Sequence, residues 1–348
     1  MAQVKPFRAV RYDERRAGPL EVLVAPPYDV LSPEERERYL ARSPYNVVHL
    51  TLPDDEEEAA RLWAEWQAEG VLAREDEAAT WWLAQDYVGP DGVPRKRGGL
   101  VCSLRVEPYE AGVVLPHERT HAGPKEGRLR LLRALHAHVE PIFLLYEGAL
   151  DRPGGEPSME VELEGVRNRL SRVDGKPPPE LEQAKLLIAD GHHRYETALA
   201  AGVEWILVVV CPTEQEGLTI FPTHRLAQHV DSLRGEEAAG VEEAFAALPS
   251  DRAGVVLYRG GRASVLAGWP GELDSAFVER LGPRGVTYTP RADEAIAAVD
   301  GGEAEAAFLL RPPTIEQVRA VAERGETMPQ KSTFFYPKLP SGLLFHPL

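Results

Sequence analysis

The sequence predicts an α/β protein of two domains, and three observations support this prediction. The chain has 348 residues, more than the roughly 100–200 residues of one typical domain. An apolar strand, a glycine turn, a helix and a second strand follow one another between residues 185 and 210, in the order of a βαβ unit. From about residue 233 short helices and strands alternate, so we expect a first domain over residues 1–232 and a second over 233–348.

The N-terminal part of the first domain is predicted to be helical. Ser32 followed by a proline is typical of an N-cap and a first helical residue, which predicts a helix over residues 33–41. Trp63 and Trp66 lie three residues apart among acidic side chains, which predicts an amphipathic helix over residues 55–69.

Strands dominate the prediction for the middle of the chain. Residues 81–88 and 99–106 flank a Gly-Pro-Asp-Gly segment, which predicts a β-hairpin with a long loop. Leucines at helical spacing predict a helix within residues 127–138, and the apolar run 141–146 predicts a buried strand. The βαβ order consists of a strand at 185–189, a helix at 195–201 and a strand at 205–210. The second domain is predicted to alternate helices and strands over 236–247, 254–258, 263–266, 275–281, 292–299, 306–310 and 314–324.

Charge and composition exclude several classes of protein. Hydrophobic residues make up 43% of the chain and charged residues 27%, which argues against disorder. The 55 acidic and 39 basic residues give a net charge of −16, which repels nucleic-acid phosphates and anionic lipid. We therefore expect a small-molecule substrate and no nucleic-acid or membrane partner. Self-association into a homo-oligomer is left open.

The cysteine content and the N-terminus predict the compartment. Cys102 and Cys211 are too few for a disulfide framework and lack the spacing of a zinc site, which favours a reducing compartment. Charges throughout residues 1–16 argue against a signal peptide, and no uncharged run approaches the roughly 20 residues of a membrane helix. We therefore expect a cytoplasmic protein. Many proline, arginine and glutamate residues favour a heat-stable one.

The segment with the strongest indication of chemistry is Asp190-Gly191-His192-His193-Arg194, directly after an apolar strand. Gly191 permits a tight turn, and the helix that begins there presents unpaired amides and the positive end of its dipole, which makes an anion site. The Arg194 guanidinium suits phosphate, and the imidazoles can donate hydrogen bonds or a proton. The residues predicted to bind a phosphate group are Gly191, His192, His193, Arg194 and Thr197.

Asp190 has three alternative roles in this turn. It could cap the helix, accept a hydroxyl proton as a catalytic base, or hold a magnesium ion. Arg194 and one of the two histidines are expected to stabilise the transferring phosphoryl group, and the other histidine is expected to be structural. Magnesium is expected because adjacent polyphosphate charges need neutralising before an anionic protein accepts them.

A second candidate segment is His-Glu-Arg-Thr-His at residues 117–121. It matches the His-Glu-x-x-His pattern of zinc peptidases, which places both histidines on the metal only within a helix. Because a Gly-Pro pair follows, we predict a loop instead. Glu118 then becomes a candidate catalytic base, and the candidate anion contacts are Arg119, Lys125 and Arg128. An ordinary solvated charged loop is the alternative.

Two further loops are candidate ligand contacts. Lys331 and Ser332 lie between a proline and a group of aromatic residues. This loop could close over a ligand; alternatively, its aromatic side chains only hold the terminal segment against the core. Tyr28 and Asp29 follow a rigid Pro-Pro segment that could present a polar contact or only form a turn. The residues predicted to bind substrate are Tyr28, Asp29, His117, Arg119, Lys331 and Ser332.

The Asp-Gly-His-His-Arg turn resembles the signature turn of the ParB/sulfiredoxin superfamily, which includes a free-serine kinase. The resemblance implies a ParB/sulfiredoxin-like core with nucleotide phosphates bound at the turn. The cysteine that sulfiredoxin carries there is absent, which argues against sulfiredoxin chemistry. Over nearly the whole chain the sequence also resembles the family known as domain of unknown function 1015, in the segments 24–30, 44–47, 117–120, 190–194, 328–333 and 335–338.

Together these features predict an enzyme that transfers a phosphoryl group between ATP or ADP and a small hydroxylated metabolite. The resemblance implies free serine or phosphoserine as the first substrate to test. The shorter kinase has no counterpart to the C-terminal third of this chain, whose tail is expected to return to the site. A phosphoserine phosphatase or other phosphate-ester hydrolase, and a nucleotide-binding regulatory protein without turnover, are the alternatives.

Overall fold

The computed structural model of the protein describes residues 1–118, 122–151 and 156–348. Within these residues the chain forms two compact units. The first unit comprises residues 1–116, 120–218 and 337–348, and the second comprises 117–119 and 219–336. In the described ranges no helix is long and apolar enough to cross a bilayer.

The helices of the described residues include short and long examples. Eleven are α-helices: α1 (Glu14–Ala17), α2 (Leu20–Leu23), α3 (Pro33–Leu40), α4 (Val48–Thr51), α5 (Glu56–Ala68), α6 (Ala122–Leu135), α7 (His192–Ala201), α8 (Val241–Ala246), α9 (Asp274–Leu281), α10 (Ala292–Asp300) and α11 (Ile315–Glu323). Three segments are 3₁₀ helices: Tyr28–Val30, Tyr109–Ala111 and Pro179–Gln183.

The strands of the described residues are distributed along the whole chain. They are β1 (Val4–Lys5), β2 (Val10–Tyr12), β3 (Leu72–Arg74), β4 (Thr80–Val88), β5 (Pro94–Arg105), β6 (Val114–Leu115), β7 (Ala137–His138), β8 (Ile142–Tyr146), β9 (Met159–Leu163), β10 (Val166–Val173), β11 (Leu186–Asp190), β12 (Trp205–Pro212), β13 (Thr219–Phe221), β14 (His224–His229), β15 (Glu236–Ala238), β16 (Arg252–Arg259), β17 (Arg262–Pro270), β18 (Arg284–Thr289), β19 (Ala306–Leu309), β20 (Phe334–Tyr336) and β21 (His346–Pro347).

A nine-stranded mixed sheet forms the core of the first unit. Its order is β6-β11-β8-β12-β5-β4-β10-β9, with β1 paired to β5. The β4–β5 hairpin is confirmed, with Gln85 opposite Arg97, and its second strand begins at Pro94, before the predicted start. Helix α7 packs on this sheet because Tyr195 and Ala198 are buried in the same apolar cluster as Ile188 and Val208. This packing fixes the start of α7 against the end of β11.

The predicted βαβ unit requires a correction. β11 and β12 are separated by β8, which runs antiparallel to β11 and parallel to β12. The strand–helix–strand segment therefore contains no parallel pair of its own. Local periodicity specified the strands and the helix, but their direction depends on pairing with β8, which lies much earlier in the chain.

Most helices predicted in the first unit are confirmed. Ser32 caps α3 and Glu35 completes a capping box with it, and the Asp55 side chain caps α5. Helix α6 begins at residue 122, earlier than predicted, because a proline is tolerated in the first turn of a helix.

The second unit contains a six-stranded antiparallel sheet in the order β15-β17-β16-β19-β14-β18, and a separate β13–β20 pair. Its core includes Val255, Phe277 and Phe308. Residues 236–247 are not one helix: β15 precedes α8, because Gly240 is extended and separates them. The expected domain boundary near residue 232 falls inside this unit. With helices on sheets in both units, the predicted α/β class is confirmed.

Buried histidines give the first unit a pH-dependent stability. His138 is 7% exposed and donates from Nε2 to the Trp205 carbonyl at 3.0 Å. Burial, together with the nearby His346, lowers the pKa of His138 to about 3. The unfolded chain, with a histidine pKa of about 6.5, therefore binds a proton between these two pH values that the folded chain does not bind.

We expect the free energy of unfolding to decrease as the pH falls below about 6.5, with His138 contributing up to about 1.4 kcal/mol per pH unit. In the His138→Gln variant this contribution should disappear, while the amide can still donate to Trp205. Urea unfolding at a series of pH values measures the slope. An unchanged slope in the variant would contradict the assignment.

Candidate functional site

The turn between β11 and α7 is formed by a glycine in a left-handed conformation. Gly191 has φ +97° and is the N-cap residue of α7, which begins at His192. A glycine has no side chain with which to cap the helix, so the first turn of α7 keeps the electrostatic character that favours anions. The helix therefore begins three residues before the predicted start at Tyr195, immediately after the strand.

Asp190 joins two cations beside this turn. Arg194 Nη2 donates to Asp190 Oδ2 at 2.7 Å, and Lys338 Nζ donates to Asp190 Oδ1 at 2.5 Å. Arg194 Nη1 also donates to the Pro141 carbonyl. The Arg194 guanidinium lies directly over the turn, because a Cβ added to Gly191 would be 3.1 Å from Arg194 Nε. The three charged side chains are 11–19% exposed, so water screens them only weakly.

The two cations determine the charge of Asp190. Burial alone would raise the pKa of the Asp190 carboxyl, but Lys338 and Arg194 outweigh it and hold that pKa well below its usual range. Asp190 is therefore ionised at neutral pH. Its charge offsets one of the two cations that it contacts.

The Pro-Pro-Tyr-Asp segment belongs to the same part of the first unit. The Tyr28 ring lies under Arg128, with the guanidinium carbon 3.7 Å from the ring centroid. The Tyr28 amide donates to Glu140 Oε1 at 3.0 Å. Burial raises the pKa of Tyr28 to about 12, although Arg194 and Arg128 oppose the shift. Asp29 and Glu140 in turn act electrostatically on Arg194.

Glu140 and Lys338 are site residues without a role in the sequence prediction. Glu140 is buried and accepts from the Ser341 hydroxyl at 2.9 Å as well as from Tyr28. A carboxylate immediately before a buried apolar strand is the only local signal for Glu140. The signal for Lys338 is its place in the Phe-Tyr-Pro-Lys segment of the family resemblance. We call Tyr28, Asp29, Glu140, Asp190, Arg194 and Lys338 the Arg194 cluster.

The remaining residues of the turn differ in exposure. His192 is buried and lowers the pKa of Asp190, after the larger effects of burial and the two cations. His193 is half-buried. Thr197 is buried, and its hydroxyl donates to the His193 carbonyl at 2.7 Å within the helix. Arg194 and Thr197 line a cavity of about 50 Å³, which can hold water but not a nucleotide. Gly191, His193 and Arg194 are partly exposed, so a phosphate can reach the outer side of the turn from solvent.

The other predicted contacts lie in the second unit, where the structure brings two distant segments together. Glu118 forms a bridge with Met328, and its Oε1 accepts from the Lys331 amide at 3.5 Å. His117 is buried, and its Nε2 lies 3.0 Å from the Thr333 hydroxyl. The Ser332 hydroxyl donates to the Pro329 carbonyl at 2.6 Å.

Residues 117 and 118 are not helical, as predicted; Arg119 and His121 lie outside the described residues. The substrate and base roles assigned to this group stay predictions.

The expected magnesium site finds little support in these side chains. Each carboxylate oxygen of Asp190 already accepts a charge-assisted hydrogen bond from a cation. Throughout residues 1–118, 122–151 and 156–348, no three acidic, histidine or cysteine side chains are grouped as metal ligands. Asp190 in this arrangement does not fit a resident metal ion. Cys102 and Cys211 are both buried and free, and burial raises the pKa of their thiols to about 12 and 11, as expected for inert packing.

Replacing Gly191 tests the geometry of the turn. We expect Gly191→Ala to lower the free energy of unfolding by about 1–2 kcal/mol through left-handed strain, and also to displace the Arg194 guanidinium. Gly202→Ala is a matched control, because Gly202 has φ +69° at the other end of α7 with no atom within 4 Å of its added Cβ. Urea unfolding and nucleotide binding should both change in the first variant, and only stability in the second. Equal nucleotide affinities in the two variants would contradict this geometry.

Comparisons with known proteins identify a family, and they find only distant similarity to solved structures. No curated protein matches the chain. A free serine kinase in complex with AMP is 17% identical with a TM-score of 0.43, over 66% of this chain and 89% of the kinase chain. A conserved hypothetical protein from Pyrococcus furiosus is 17% identical with a TM-score of 0.41, over 66% and 90%. C-terminally truncated SbnI from Staphylococcus aureus is 13% identical with a TM-score of 0.42, over 69% and 84%.

The family comparison covers most of the sequence. A model of the protein family of unknown function DUF1015 matches residues 4–312, which include β1 and continue beyond β19. The match includes the glycine turn at residue 191 and all of the Arg194 cluster except Lys338. This chain therefore belongs to the DUF1015 family.

Proposed function

We propose that the protein transfers a phosphoryl group between a nucleotide and a small hydroxylated metabolite, with the phosphate held at the turn of residues 190–194. The observation that supports the proposal most is the pair of cations, Arg194 and Lys338, fixed by Asp190 at the start of α7. The hydrogen-bond donors of these two cations and an uncapped helix start then act on the same small volume. In a chain with a net charge of −16, an anion needs such a local group of cationic donors to offset the overall repulsion.

Each residue has a distinct role in this proposal. Arg194 and Lys338 stabilise the charge that develops on the transferring phosphoryl group, which is the main requirement of this chemistry. Asp190 is a positioning residue for the two cations, since a carboxyl with a strongly lowered pKa accepts a proton only weakly at neutral pH. As the acceptor oxygen bonds to phosphorus and the shortened nucleotide leaves, the hydroxyl proton passes to His193, whose imidazole is half-buried in the same turn. No step of the proposal depends on a metal ligand from the protein.

The resemblance of the turn to that of a free-serine kinase leads us to serine as the acceptor and to ATP or ADP as the donor. A direct test incubates the purified protein with serine, magnesium and either nucleotide, and detects phosphoserine by mass spectrometry. Phosphoserine formation supports the proposal. Release of phosphate from phosphoserine without nucleotide would indicate the alternative hydrolase, and calorimetric nucleotide binding without any product would indicate a regulatory protein. The absence of both binding and product would refute the proposal.

A further inference from the structure

A cavity of about 470 Å³ lies within the second unit, at one edge of its six-stranded sheet. At this edge β14 and β16 begin and β17 and β19 end. The lining includes Arg225 of β14, Ser275 of α9, Arg311 and one face of α11. The volume lies in the roughly 300–1,000 Å³ range of small-molecule sites. The cavity belongs to the second unit, whereas the Arg194 cluster belongs to the first.

The carboxylates that line this cavity are already neutralised by arginines. The three pairs are Asp251–Arg252 at 2.8 Å, Glu272–Arg280 at 2.8 Å and Asp274–Arg311 at 2.7 Å. Arg324, which lines the cavity directly after the end of α11, pairs with Glu326 at 2.9 Å. None of these acids is therefore left to balance a further cation in the lining.

Arg225 is that further cation. It is 4% exposed, and among the residues the structure describes it forms no ion pair with a carboxylate; Glu279 acts on it only at longer range. Its Nη1 donates to the Thr223 carbonyl at 2.5 Å, and its Nη2 makes only a long contact of 3.4 Å with the Lys331 carbonyl. Carbonyl oxygens carry no net charge, so a buried guanidinium held in this way still favours an anion beside it.

We propose that this cavity binds a small organic molecule by its carboxylate or phosphate group, with Arg225 as the principal contact. A guanidinium binds either group through paired hydrogen bonds, and a buried one does so with little competition from water. The N-terminus of α11 is already capped by Thr314 and Gln317, so the side chain of Arg225, and not the helix amides, supplies the recognition. The proposal is independent of the phosphoryl-transfer function.

Hydrogen–deuterium exchange of the wild-type protein tests this proposal without a variant. The probes are inorganic phosphate, phosphoserine and citrate, each compared with potassium chloride at the same ionic strength. We expect slower exchange in peptides covering residues 310–324. Protection by phosphate and phosphoserine but not by citrate would identify a phosphate group as the one that binds. Protection by citrate but not by inorganic phosphate would identify a carboxylate. No protection of these peptides by any probe would overturn the proposal, whatever occurs at residues 190–194.

A variant pair identifies the contact residue. Arg225→Gln should weaken binding of the protecting probe about tenfold or more, the effect of losing one charge-assisted hydrogen bond. Arg284→Gln is the charge-matched control, because Arg284 lies on β18 of the same unit, exposed and outside the cavity lining. If Arg225→Gln does not fold, as judged by circular dichroism, Arg225→Lys replaces it and should bind more weakly than wild type. Wild-type affinity in a folded Arg225 variant would overturn the assignment.

Discussion

Replacing Asp190 by asparagine should lower the free energy of unfolding by about 3–5 kcal/mol, the effect of removing one partner from a buried ion pair. The substitution keeps the shape of the side chain but removes the carboxylate charge that contacts both Arg194 and Lys338. Both cations are less than one-fifth exposed, so solvent compensates them poorly. Urea unfolding near neutral pH, where Asp190 is ionised, measures the loss.

Asp91→Asn is the matched control for this variant. Asp91 also pairs with an arginine four residues later, Arg95, at 2.7 Å, but Asp91 is 41% exposed. We expect a loss of at most about 1 kcal/mol there, as for other solvent-exposed pairs. Restoring part of the stability by combining Asp190→Asn with Lys338→Met would confirm that the unpaired cations cause the loss. Equal losses of unfolding free energy in the Asp190 and Asp91 variants would contradict the claim that Asp190 pairs with two buried cations.

The second large effect concerns turnover. Arg194→Ala should reduce the rate of phosphoserine formation by a factor of about 10³ or more, which is the contribution of an arginine aimed at a transferring phosphoryl group. Arg194→Lys should recover only part of it, because an ammonium group lacks the fork geometry of a guanidinium. Steady-state kinetics with serine and nucleotide measure both variants, and circular dichroism confirms that each is folded.

Arg61→Ala provides the control for a lost arginine. Arg61 lies on the exposed face of α5, where it pairs with Glu58 and Glu65, and it has no contact with the turn. Its kcat and KM should equal those of the wild type. A turnover in Arg194→Ala within tenfold of the control would remove Arg194 from the proposed chemistry, and the Asp190 network would then be structural only.

The elements that local pattern specifies could be predicted from the sequence. The capping box of Ser32 and Glu35, the spacing of Trp63 and Trp66, and the hairpin around residues 89–92 depend on neighbours within a few residues. Strand direction could not be predicted in the same way. The position of β8 between β11 and β12 depends on pairing between residues 40 or more positions apart, for which no local signal exists.

The residues of the candidate site also fall into those that the local sequence predicts and those that only the folded chain brings together. Gly191 and Arg194 were predictable because a strand, a glycine and a helix start are adjacent in sequence. Lys338 is 148 residues from Asp190, and Glu140 meets Ser341 across 201 residues, so only the folded chain brings these charges together. The pairing of His117 and Glu118 with residues 328–333 is a further long-range contact within the second unit.

A crystal structure of the protein grown with ADP and magnesium chloride tests the central claim most directly. The account predicts density for the terminal phosphate at the outer side of the turn, within hydrogen-bonding distance of the Arg194 guanidinium or the Lys338 ammonium. The backbone amides that follow Gly191 should donate to the same phosphate. Density for ADP at any other place, with residues 190–194 and Lys338 keeping only their present contacts, would contradict the claim that this turn is the phosphate site.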